Sequence, residues 1–241
     1  MIIIHEPDTK KFSELLANDL QCKTLEIKIE QFSNGEFKID PISSDDPHAL
    51  VIFSNGDDLN SQLLKFFLIL ENLRGFQMVD IFIPYIPYSR QDKSVSFQAT
   101  FNMFKKFNVR KIITIDIHKA VNNPMIINIL PHQLFGERFK GSDFAVAAPD
   151  NGAISRAKEF AEYLGTSLIT IDKISGKTQN LEIANGRKCL IVDDIVDTGK
   201  TLKNAEKILK SAGASEIVSC ISDSARNNLI DFHDQIAKIL I

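Results

Sequence analysis

The sequence contains no tryptophan and only three cysteines among its 241 residues. Cys22, Cys189 and Cys220 are widely spaced and stand in apolar surroundings. A disulfide framework needs cysteines in pairs, and a zinc site needs them at short, regular spacings. The three cysteines are therefore predicted to be reduced thiols in the core.

Long hydrophobic runs are also missing. The longest apolar stretches, such as residues 66–70 and 125–127, are much shorter than the ~20 residues that cross a bilayer. Residues 1–10 contain three isoleucines and then polar residues, which does not resemble a signal or transit peptide. We therefore expect a cytoplasmic protein with no membrane partner.

Neither sign of charge is in large excess. The chain has 28 Lys and Arg against 31 Asp and Glu, for a formal net charge of -3. Non-specific binding of nucleic acid depends on a strongly basic surface. The composition therefore predicts no nucleic-acid partner, and any anionic ligand must be bound by a few local groups.

What the sequence does contain is an alternation of short β-branched runs with amphipathic stretches, in a chain that is 44% hydrophobic. This alternation predicts an α/β protein with mainly parallel sheets flanked by helices. Strands are predicted at 2–4, 25–31, 49–53, 79–83, 111–115, 144–147, 167–171, 189–192 and 216–220, and the apolar end at 237–241 is also strand-like. Helices are predicted at 10–20, 59–74, 97–107, 153–164 and 201–211.

The predicted strands fall into two groups. Residues 136–142, with two glycines and mixed charges, are typical of a seam between domains. We therefore predict two similar α/β lobes, an N-terminal lobe of residues 1–141 and a C-terminal lobe of residues 142–241.

Acidic and polar residues follow several predicted strands. They include Asp116 with His118, then Asp150, and the pair Asp193 and Asp194. In an open parallel sheet, ligands bind beyond the carboxyl ends of the strands. Together these residues predict a ligand site on one face or at a cleft between the lobes, although any one of them taken alone is better explained as a helix N-cap.

Residues 189–202 carry the most informative motif, CLIVDDIVDTGKTL. An apolar strand is followed by Asp193 and Asp194, a short spacer, and a loop at 197–201 that opens a helix. Such a loop offers N–H groups, hydroxyls and a helix N-terminus to a phosphate, and the two acids could hold sugar hydroxyls or a metal-bound diol. A Walker A loop is excluded because Asp194 stands where that motif needs glycine.

This segment resembles the phosphoribosyl pyrophosphate binding motif of the type I phosphoribosyltransferase fold. Four further segments resemble the ribose-phosphate pyrophosphokinase family in the same order: FSNGE at 32–36, IPY at 83–85 with YSRQDK at 88–93, DIH at 116–118 and PDNG at 149–152. The resemblance covers nearly the whole chain. It implies two phosphoribosyltransferase-like lobes and, with Mg²⁺, transfer of the diphosphoryl group of ATP to the 1-hydroxyl of ribose 5-phosphate.

The resemblance also implies a role for each matching residue. Asp193 and Asp194 would bind the ribose 2- and 3-hydroxyls, while His118 and Asp150 would help to hold Mg²⁺. The 5-phosphate would be bound by Asp197, Thr198, Gly199, Lys200 and Thr201. ATP would be bound by Phe32, Asn34 and Glu36 at the adenine, and by Arg90, Gln91 and Asp92.

The sequence departs from the family pattern after the strand at 167–171. The family has a basic loop there, whose lysine and arginine reach over the transferring phosphates. Lys173 matches this lysine, but Ser175 stands at or near the place of the arginine. Lys177 could substitute as a point charge, so Lys173 and Lys177 are the predicted catalytic residues, but lysine is not equivalent to arginine at such a site.

Three functions are compatible with these features. The first is an ATP-dependent pyrophosphokinase, which the first-half segments favour because a base-transferring enzyme would not need them. The second is a phosphoribosyltransferase that consumes phosphoribosyl pyrophosphate, because the ribose loop is shared. The third is a catalytically weak paralogue that regulates or assembles with an active synthetase, which Ser175 and Lys200, where the family usually has a small residue, favour.

A homo-oligomer is predicted from one region with many large apolar side chains. These are Ile86, Phe97, Phe101, Met103, Phe104 and Phe107. They are more than one amphipathic helix must bury, although plain core packing explains them nearly as well.

Overall fold

A computed structural model describes residues 1–54, 58–90, 95–118, 123–172, 175–195 and 199–240. The chain forms two compact units. The first consists of Met1–Asn128 together with Leu229–Ile241, and the second consists of Ile129–Asn228. Each unit contains its own mainly parallel sheet.

The secondary structure alternates between strands and helices. The strands are β1 (Ile2–His5), β2 (Lys23–Glu26), β3 (Ile29–Gln31), β4 (Phe37–Ile39), β5 (His48–Ile52), β6 (Met78–Phe82), β7 (Val109–Ile115), β8 (Ile126–Ile129), β9 (Phe144–Ala148), β10 (Leu168–Ile171), β11 (Thr178–Gln179), β12 (Lys188–Asp193) and β13 (Glu216–Ile221). The helices are α1 (Lys10–Asp19), α2 (Leu59–Glu71), α3 (Val95–Lys106), α4 (Pro131–Phe139), α5 (Ile154–Leu164), α6 (Lys200–Ser211), α7 (Ser222–Asn227) and α8 (His233–Leu240). Single-turn 3₁₀ helices lie at Pro7–Thr9, Asn151–Ala153, Leu181–Ala184 and Leu229–Phe232.

The first unit is built on a six-stranded sheet with the order β2-β1-β5-β6-β7-β8. Neighbouring strands from β2 to β7 are parallel. All four residues of β1 and the last four of β5 are buried, as expected of strands covered on both faces. A separate antiparallel hairpin, β3-β4, belongs to this unit.

Phenylalanine rings fill much of the core of the first unit. The ring of Phe66 on α2 meets Phe53 edge-on with centroids 5.0 Å apart, and it meets Phe104 on α3 at 6.4 Å. Ile86, Phe101 and Phe104, three of the residues that suggested an oligomer, are almost fully buried in this core. Phe97 and Phe107 pack against the same core and are partly buried, so core packing accounts for five of the six side chains.

The second unit is built on a five-stranded sheet with the order β11-β10-β9-β12-β13. Only the pair β10-β11 is antiparallel among its paired strands. The central strands β9 and β12 are almost wholly buried. Helix α5 packs on both of them, and it ends at Gly165, whose φ of +65° is the left-handed conformation that glycine adopts at low cost.

The nine main predicted strands and the five predicted helices overlap observed elements, whereas β4, β8, β11, α4 and α7 were not predicted. One predicted strand is divided in the structure. The strand predicted at 25–31 is two strands, because β2 ends at Glu26 and β3 begins at Ile29. The first of them pairs with β1, whereas the second pairs with β4. A continuous β-branched pattern therefore hid a change of sheet.

The units divide at a different place from the predicted 1–141 and 142–241. Most of the predicted seam lies in helix α4, where Gly136 is so close to the Tyr163 ring that a Cβ atom would lie 2.4 Å from it. The strand-like end of the chain is in fact helix α8. This helix packs on α1, where the His233 ring nitrogen lies 2.5 Å from Asp19 Oδ2, so it belongs to the first unit.

The cysteines have the expected state. Cys189 and Cys220 are buried, Cys22 is half-buried, and all three are unbridged. Among the residues that the structure describes, no helix has both the length and the apolar character needed to cross a membrane.

Candidate active site

Acidic residues gather at one edge of the sheet in the second unit. Asp150 follows β9, Asp172 follows β10, and Asp193 and Asp194 lie at the end of β12. Because these three strands are parallel neighbours, their carboxyl ends meet at the same edge. The strand order therefore places these four acids at one edge of this sheet, while the predicted ligand site there stays a prediction.

Asp193 and Asp194 are both buried, with exposed fractions of 7% and 4%. The apolar residues of β12 bring them there, since the strand runs through the centre of the sheet. The Asp194 N–H donates to Asp193 Oδ1 over 2.9 Å, and the Asp223 N–H donates to the Asp194 carbonyl over 2.9 Å. Two hydrogen bonds therefore fix the backbone of Asp194, one through its N–H and one through its carbonyl.

A buried arginine that the sequence analysis missed faces these two acids. Arg156 on α5 is 7% exposed. Its Nη1 lies 2.7 Å from Asp194 Oδ1 and 3.4 Å from Asp193 Oδ1. One cation therefore bridges two neighbouring carboxylates.

A sequence signal for Arg156 did exist. The buried positions of α5 include Arg156, Ala157, Phe160 and Ala161, which is the spacing of one helix face. A charged residue on that face must find a buried partner. The partner itself was not evident, because it lies 37 positions along the chain.

The surroundings of Asp193 change its ionisation. The pKa of Asp193 is raised to about 7, with burial as the largest cause. The Asp194 carboxylate also raises this pKa, whereas the Asp194 N–H and the Arg156 guanidinium lower it. Asp193 therefore holds a proton more tightly than an exposed aspartate does.

Helix α6 begins just after the acid pair. Gly199 precedes it with a φ of +70°, a left-handed conformation that suits glycine. Lys200 is exposed and Thr201 is half-buried in the first turn. The start of this helix, with its N–H groups and positive dipole end, can bind an anion. Asp197 and Thr198 of the same predicted loop lie outside the described residues.

The turn between β10 and β11 contains Ser175, the residue in place of the family arginine. Its Oγ donates to Asp172 Oδ2 over 2.7 Å and accepts from the Lys177 N–H at 3.3 Å. Lys177 is exposed. Lys173, the other predicted catalytic residue, lies outside the described residues.

Asp150 has a clear structural role in the second unit. Its Oδ1 accepts from the N–H groups of Gly152, over 2.9 Å, and Ala153, over 3.3 Å. It therefore caps the 3₁₀ turn that leads into α5, as a single strand-end acid was expected to do. His118, the other predicted metal ligand, belongs to the first unit, where it is half-buried just after β7.

The predicted adenine-binding residues lie together on the β3-β4 hairpin turn. The Phe32 N–H donates to the Glu36 carbonyl over 2.9 Å, and Asn34 Oδ1 accepts from the Glu36 N–H at 3.1 Å. All three residues are exposed, Phe32 to 45%. An exposed phenylalanine at a fixed turn offers an apolar face to an aromatic ligand.

The other predicted nucleotide residues follow β6. Arg90 is exposed and comes after Tyr88, whose φ of +65° is unusual for a residue with a side chain. The Tyr88 hydroxyl donates to Asn60 Oδ1, so Tyr88 helps to fix this turn. Gln91 and Asp92 lie outside the described residues.

A second buried ion pair, also missed from the sequence, lies in the first unit. Lys65 Nζ on α2 contacts Glu6 Oε2 just after β1, with exposed fractions of 8% and 5%. Next to it, the Ser54 hydroxyl after β5 donates to Asp8 Oδ2. The carboxyl ends of these parallel strands therefore also carry charge.

Comparison with known families agrees with this arrangement. Residues 1–106 match the N-terminal domain of ribose phosphate pyrophosphokinase, and residues 116–238 match the phosphoribosyl transferase domain. The chain belongs to the ribose-phosphate pyrophosphokinase family. The two matches follow one another in the order that the sequence resemblance implied.

Curated relatives carry the same family name. Ribose-phosphate pyrophosphokinase 1 of Streptococcus pneumoniae serotype 4 is 28% identical over 91% of this chain and 78% of its own length. Ribose-phosphate pyrophosphokinase of Listeria ivanovii is 27% identical over 88% of this chain and 74% of its own length. The resemblance therefore extends over most of both chains.

The crystal structure of phosphoribosylpyrophosphate synthetase from Mycobacterium smegmatis has a similar fold. Its TM-score is 0.77 at 23% identity, over 90% of this chain and 79% of that chain. The predicted fold class is thus confirmed: two phosphoribosyltransferase-like (type I) lobes, each a mainly parallel sheet flanked by helices.

Proposed function

We propose that this protein is a ribose-phosphate diphosphokinase, which transfers the diphosphoryl group of ATP to ribose 5-phosphate and forms phosphoribosyl pyrophosphate and AMP. The observation that carries the proposal is the pair of family matches, at residues 1–106 and 116–238. A simple phosphoribosyltransferase would need only the second. The names of the relatives support the same reaction.

Ribose 5-phosphate is assigned to the second unit. The carboxylates of Asp193 and Asp194 accept hydrogen bonds from the ribose 2- and 3-hydroxyls. The 5-phosphate lies at the start of α6, where N–H groups and the helix dipole favour an anion. The residues proposed for the 5-phosphate are Asp197, Thr198, Gly199, Lys200 and Thr201.

ATP is assigned to residues of the first unit. The exposed ring of Phe32 stacks on the adenine, and Asn34 and Glu36 on the same turn provide polar contacts. Arg90, with Gln91 and Asp92 after it, binds the rest of the nucleotide. Arginine suits this role because its planar donors match phosphate oxygens.

Mg²⁺ is the proposed cofactor, with Asp150 and His118 as its protein ligands. Mg²⁺ prefers oxygen ligands and keeps several waters, so this pair is adequate only when phosphate oxygens supply most of the others. Within the described ranges, no group of three or more His, Cys, Asp or Glu is placed to hold a metal ion. We propose that the ion arrives with the nucleotide and neutralises phosphate charge.

In the reaction, the 1-hydroxyl oxygen of ribose 5-phosphate forms a bond to the β-phosphorus of ATP. The bond from that phosphorus to the oxygen bridging it to the α-phosphate breaks, AMP leaves, and the hydroxyl proton passes to solvent. Such transfers depend mainly on positioning and on stabilising charge. We assign the positioning to the ribose site and the charge stabilisation to Lys173 and Lys177.

A coupled assay separates the three candidate functions. AMP formed from ATP and ribose 5-phosphate supports the synthetase. Pyrophosphate released from phosphoribosyl pyrophosphate and a nucleobase supports the transferase. If neither product forms while both substrates bind, the protein is a weak regulatory paralogue.

The variant Ser175→Arg tests the cause of any low activity. It restores a cation to the β10-β11 turn, and a contact made mainly in the transition state acts on turnover. We expect the turnover number to rise more than either Michaelis constant changes. If AMP never forms, even at high enzyme concentration and with Ser175→Arg, the synthetase proposal fails.

A homo-oligomer remains part of the proposal. Leu64, 58% exposed on α2, and Val95, 84% exposed on α3, are large apolar side chains at the surface. Light scattering that finds only a 27.1 kDa species at working concentration would rule out this part.

A further inference from the structure

We propose that Arg156 is a positioning residue of the ribose site, which orients the carboxylates of Asp193 and Asp194 toward the 2- and 3-hydroxyls of ribose 5-phosphate. This inference rests on the proposed function and extends it to a residue outside the binding motif. It begins from the contacts of one guanidinium nitrogen, which lies 2.7 Å from Asp194 Oδ1 and 3.4 Å from Asp193 Oδ1.

Two consecutive residues of a strand normally point to opposite faces of the sheet. Asp193 is the last residue of β12, and Asp194 follows it. Both side chains nevertheless contact the same nitrogen atom. Arg156, together with the Asp194 N–H that donates to Asp193 Oδ1, therefore holds the two carboxylates side by side where the strand ends. A vicinal diol is a ligand that needs two adjacent acceptors.

The contacts of this cluster differ from those of a one-to-one ion pair, because one buried guanidinium contacts two buried carboxylates. Asp150 and Asp172 lie at the same edge of the sheet, at the ends of β9 and β10. Ionised carboxylates are strong acceptors for hydroxyl donors, so two of them held side by side suit a diol.

The structure also offers a matched control in the same unit. Arg187 lies at the opposite edge of the sheet, just before β12, and its Nη2 lies 2.6 Å from Asp143 Oδ1. It is an arginine paired with an aspartate, like Arg156, but it is far from the strand ends that carry the ribose site. Its removal reports the general effect of losing an arginine.

The test measures sugar preference by titration calorimetry. The wild type, Arg156→Met, Arg156→Lys and Arg187→Met are titrated with ribose 5-phosphate and with 2-deoxyribose 5-phosphate, which lacks one of the two hydroxyls. Circular dichroism first shows that each variant is folded. The ratio of the two dissociation constants reports recognition of the hydroxyls, with the 5-phosphate common to both ligands.

We expect the wild type to prefer ribose 5-phosphate by about 10-fold or more, since a hydrogen bond to a charged group is lost in the deoxy sugar. Arg156→Met should reduce the preference to about 2-fold or less, because the carboxylates are no longer held together. Arg156→Lys should give an intermediate value, since its ammonium does not reach as far as Nη1. Arg187→Met should keep the wild-type ratio.

The results distinguish failure of the proposed function from failure of the role assigned to Arg156. If the wild type binds no ribose 5-phosphate, the proposed function fails and this inference fails with it. If the wild type prefers ribose 5-phosphate and a folded Arg156→Met keeps the full preference, only the role of Arg156 is overturned. If Arg156→Met does not fold, Arg156→Lys decides, and a wild-type ratio in that variant also overturns the inference.

Discussion

In each unit a buried cation lies at the carboxyl ends of the parallel strands. The two clusters that these cations form differ in the number of acids that the cation contacts. In the first unit, Lys65 contacts one acid, Glu6. In the second unit, Arg156 contacts two acids, Asp193 and Asp194. A second acid of the first unit, Asp8, accepts instead from the Ser54 hydroxyl, so it does not share the lysine as Asp193 and Asp194 share the arginine.

Burial raises the pKa of one acid in each cluster. Burial raises the pKa of Glu6, but the hydrogen bond and charge of Lys65 oppose that rise. The pKa of Asp193 is raised to about 7, chiefly by burial, and the charge of Arg156 only partly opposes this rise. Since burying unbalanced charge destabilises a protein, the second cluster is explained more readily by ligand binding than by folding.

The largest predicted effect tests the pair of Lys65 and Glu6. Lys65→Met leaves Glu6 buried without its cation, so we expect a loss of about 3–5 kcal/mol in the free energy of unfolding at pH 8. At pH 5 the loss should be smaller, because the raised pKa of Glu6 lets it take up a proton. Urea unfolding at both pH values measures this.

The double variant Glu6→Gln with Lys65→Met is the control for that experiment, because it removes both charges. It should recover most of the stability, and the affinity for ribose 5-phosphate should not change in either variant. An equal loss at pH 5 and pH 8 would contradict the assignment of the effect to charge.

The next prediction concerns the cluster around Arg156. Asp193→Asn removes the extra buried charge while Asp194 remains beside Arg156. Since the folded-state pKa of Asp193, about 7, lies above the ordinary aspartate value of 3.8, the wild type loses stability as the pH rises between these values. We expect the variant without ligand to be more stable than the wild type at pH 8 by about 1–3 kcal/mol.

Near pH 5 the wild-type side chain is itself mostly protonated, so the difference should nearly vanish. Ribose 5-phosphate should bind the variant about 10-fold more weakly, because a neutral amide is a poorer acceptor for a hydroxyl. Thermal unfolding from pH 5 to 8 checks the first expectation. A variant less stable than the wild type at pH 8 would show that Asp193 is structural.

A third prediction moves to the amino end of the first sheet. Hydrogen bonds from Arg110 Nε, over 2.9 Å, and from His48 Nε2, over 2.8 Å, reach Asp80. Burial works against ionisation of Asp80, but these bonds outweigh it and lower its pKa. We expect Asp80→Asn to cost about 1–3 kcal/mol at pH 7.

The pH dependence of the unfolding free energy tests the direction of this effect. Ionised Asp80 stabilises the fold at pH values above the pKa that it has in the unfolded chain. This stabilisation is lost as the pH falls through the lower pKa that Asp80 has in the folded protein. The gap between Asp80→Asn and the wild type should therefore close in acid, as followed by urea unfolding. Weaker binding of ribose 5-phosphate by this variant would contradict a purely structural role for this end of the sheet.

The smallest effect is predicted for Arg187→Met. Its partner Asp143 is 80% exposed, and such pairs contribute only about 0–1 kcal/mol. The melting temperature should fall slightly, and the sugar preference should stay at the wild-type value. A loss as large as that of Lys65→Met would remove the distinction between exposed and buried pairs.

Much of this fold follows from local pattern. The apolar run before Asp193 predicts β12, and the spacing of apolar residues in α5 predicts that helix. Both features depend on neighbours a few residues apart, which the sequence displays directly. The order of motifs along the chain was also enough to identify the family, since order does not depend on three-dimensional contacts.

Other features depend on how the chain turns back on itself. The change of sheet between Glu26 and Ile29, and the helix at His233–Leu240 that packs on α1, contradicted the local pattern. In both cases the partner surface decides the outcome, and that surface is distant in sequence. Burial by tertiary packing can override local propensity.

The sequence by itself determined the fold class, the family and the acids at the end of β12. Only the tertiary structure brought Arg156 to Asp193 and Asp194, and Lys65 to Glu6. An ion pair between distant residues depends on strand order and on which face of a helix is buried, and neither is written in the spacing of the charged residues. The balance of charge at each sheet edge is therefore a property of the folded chain.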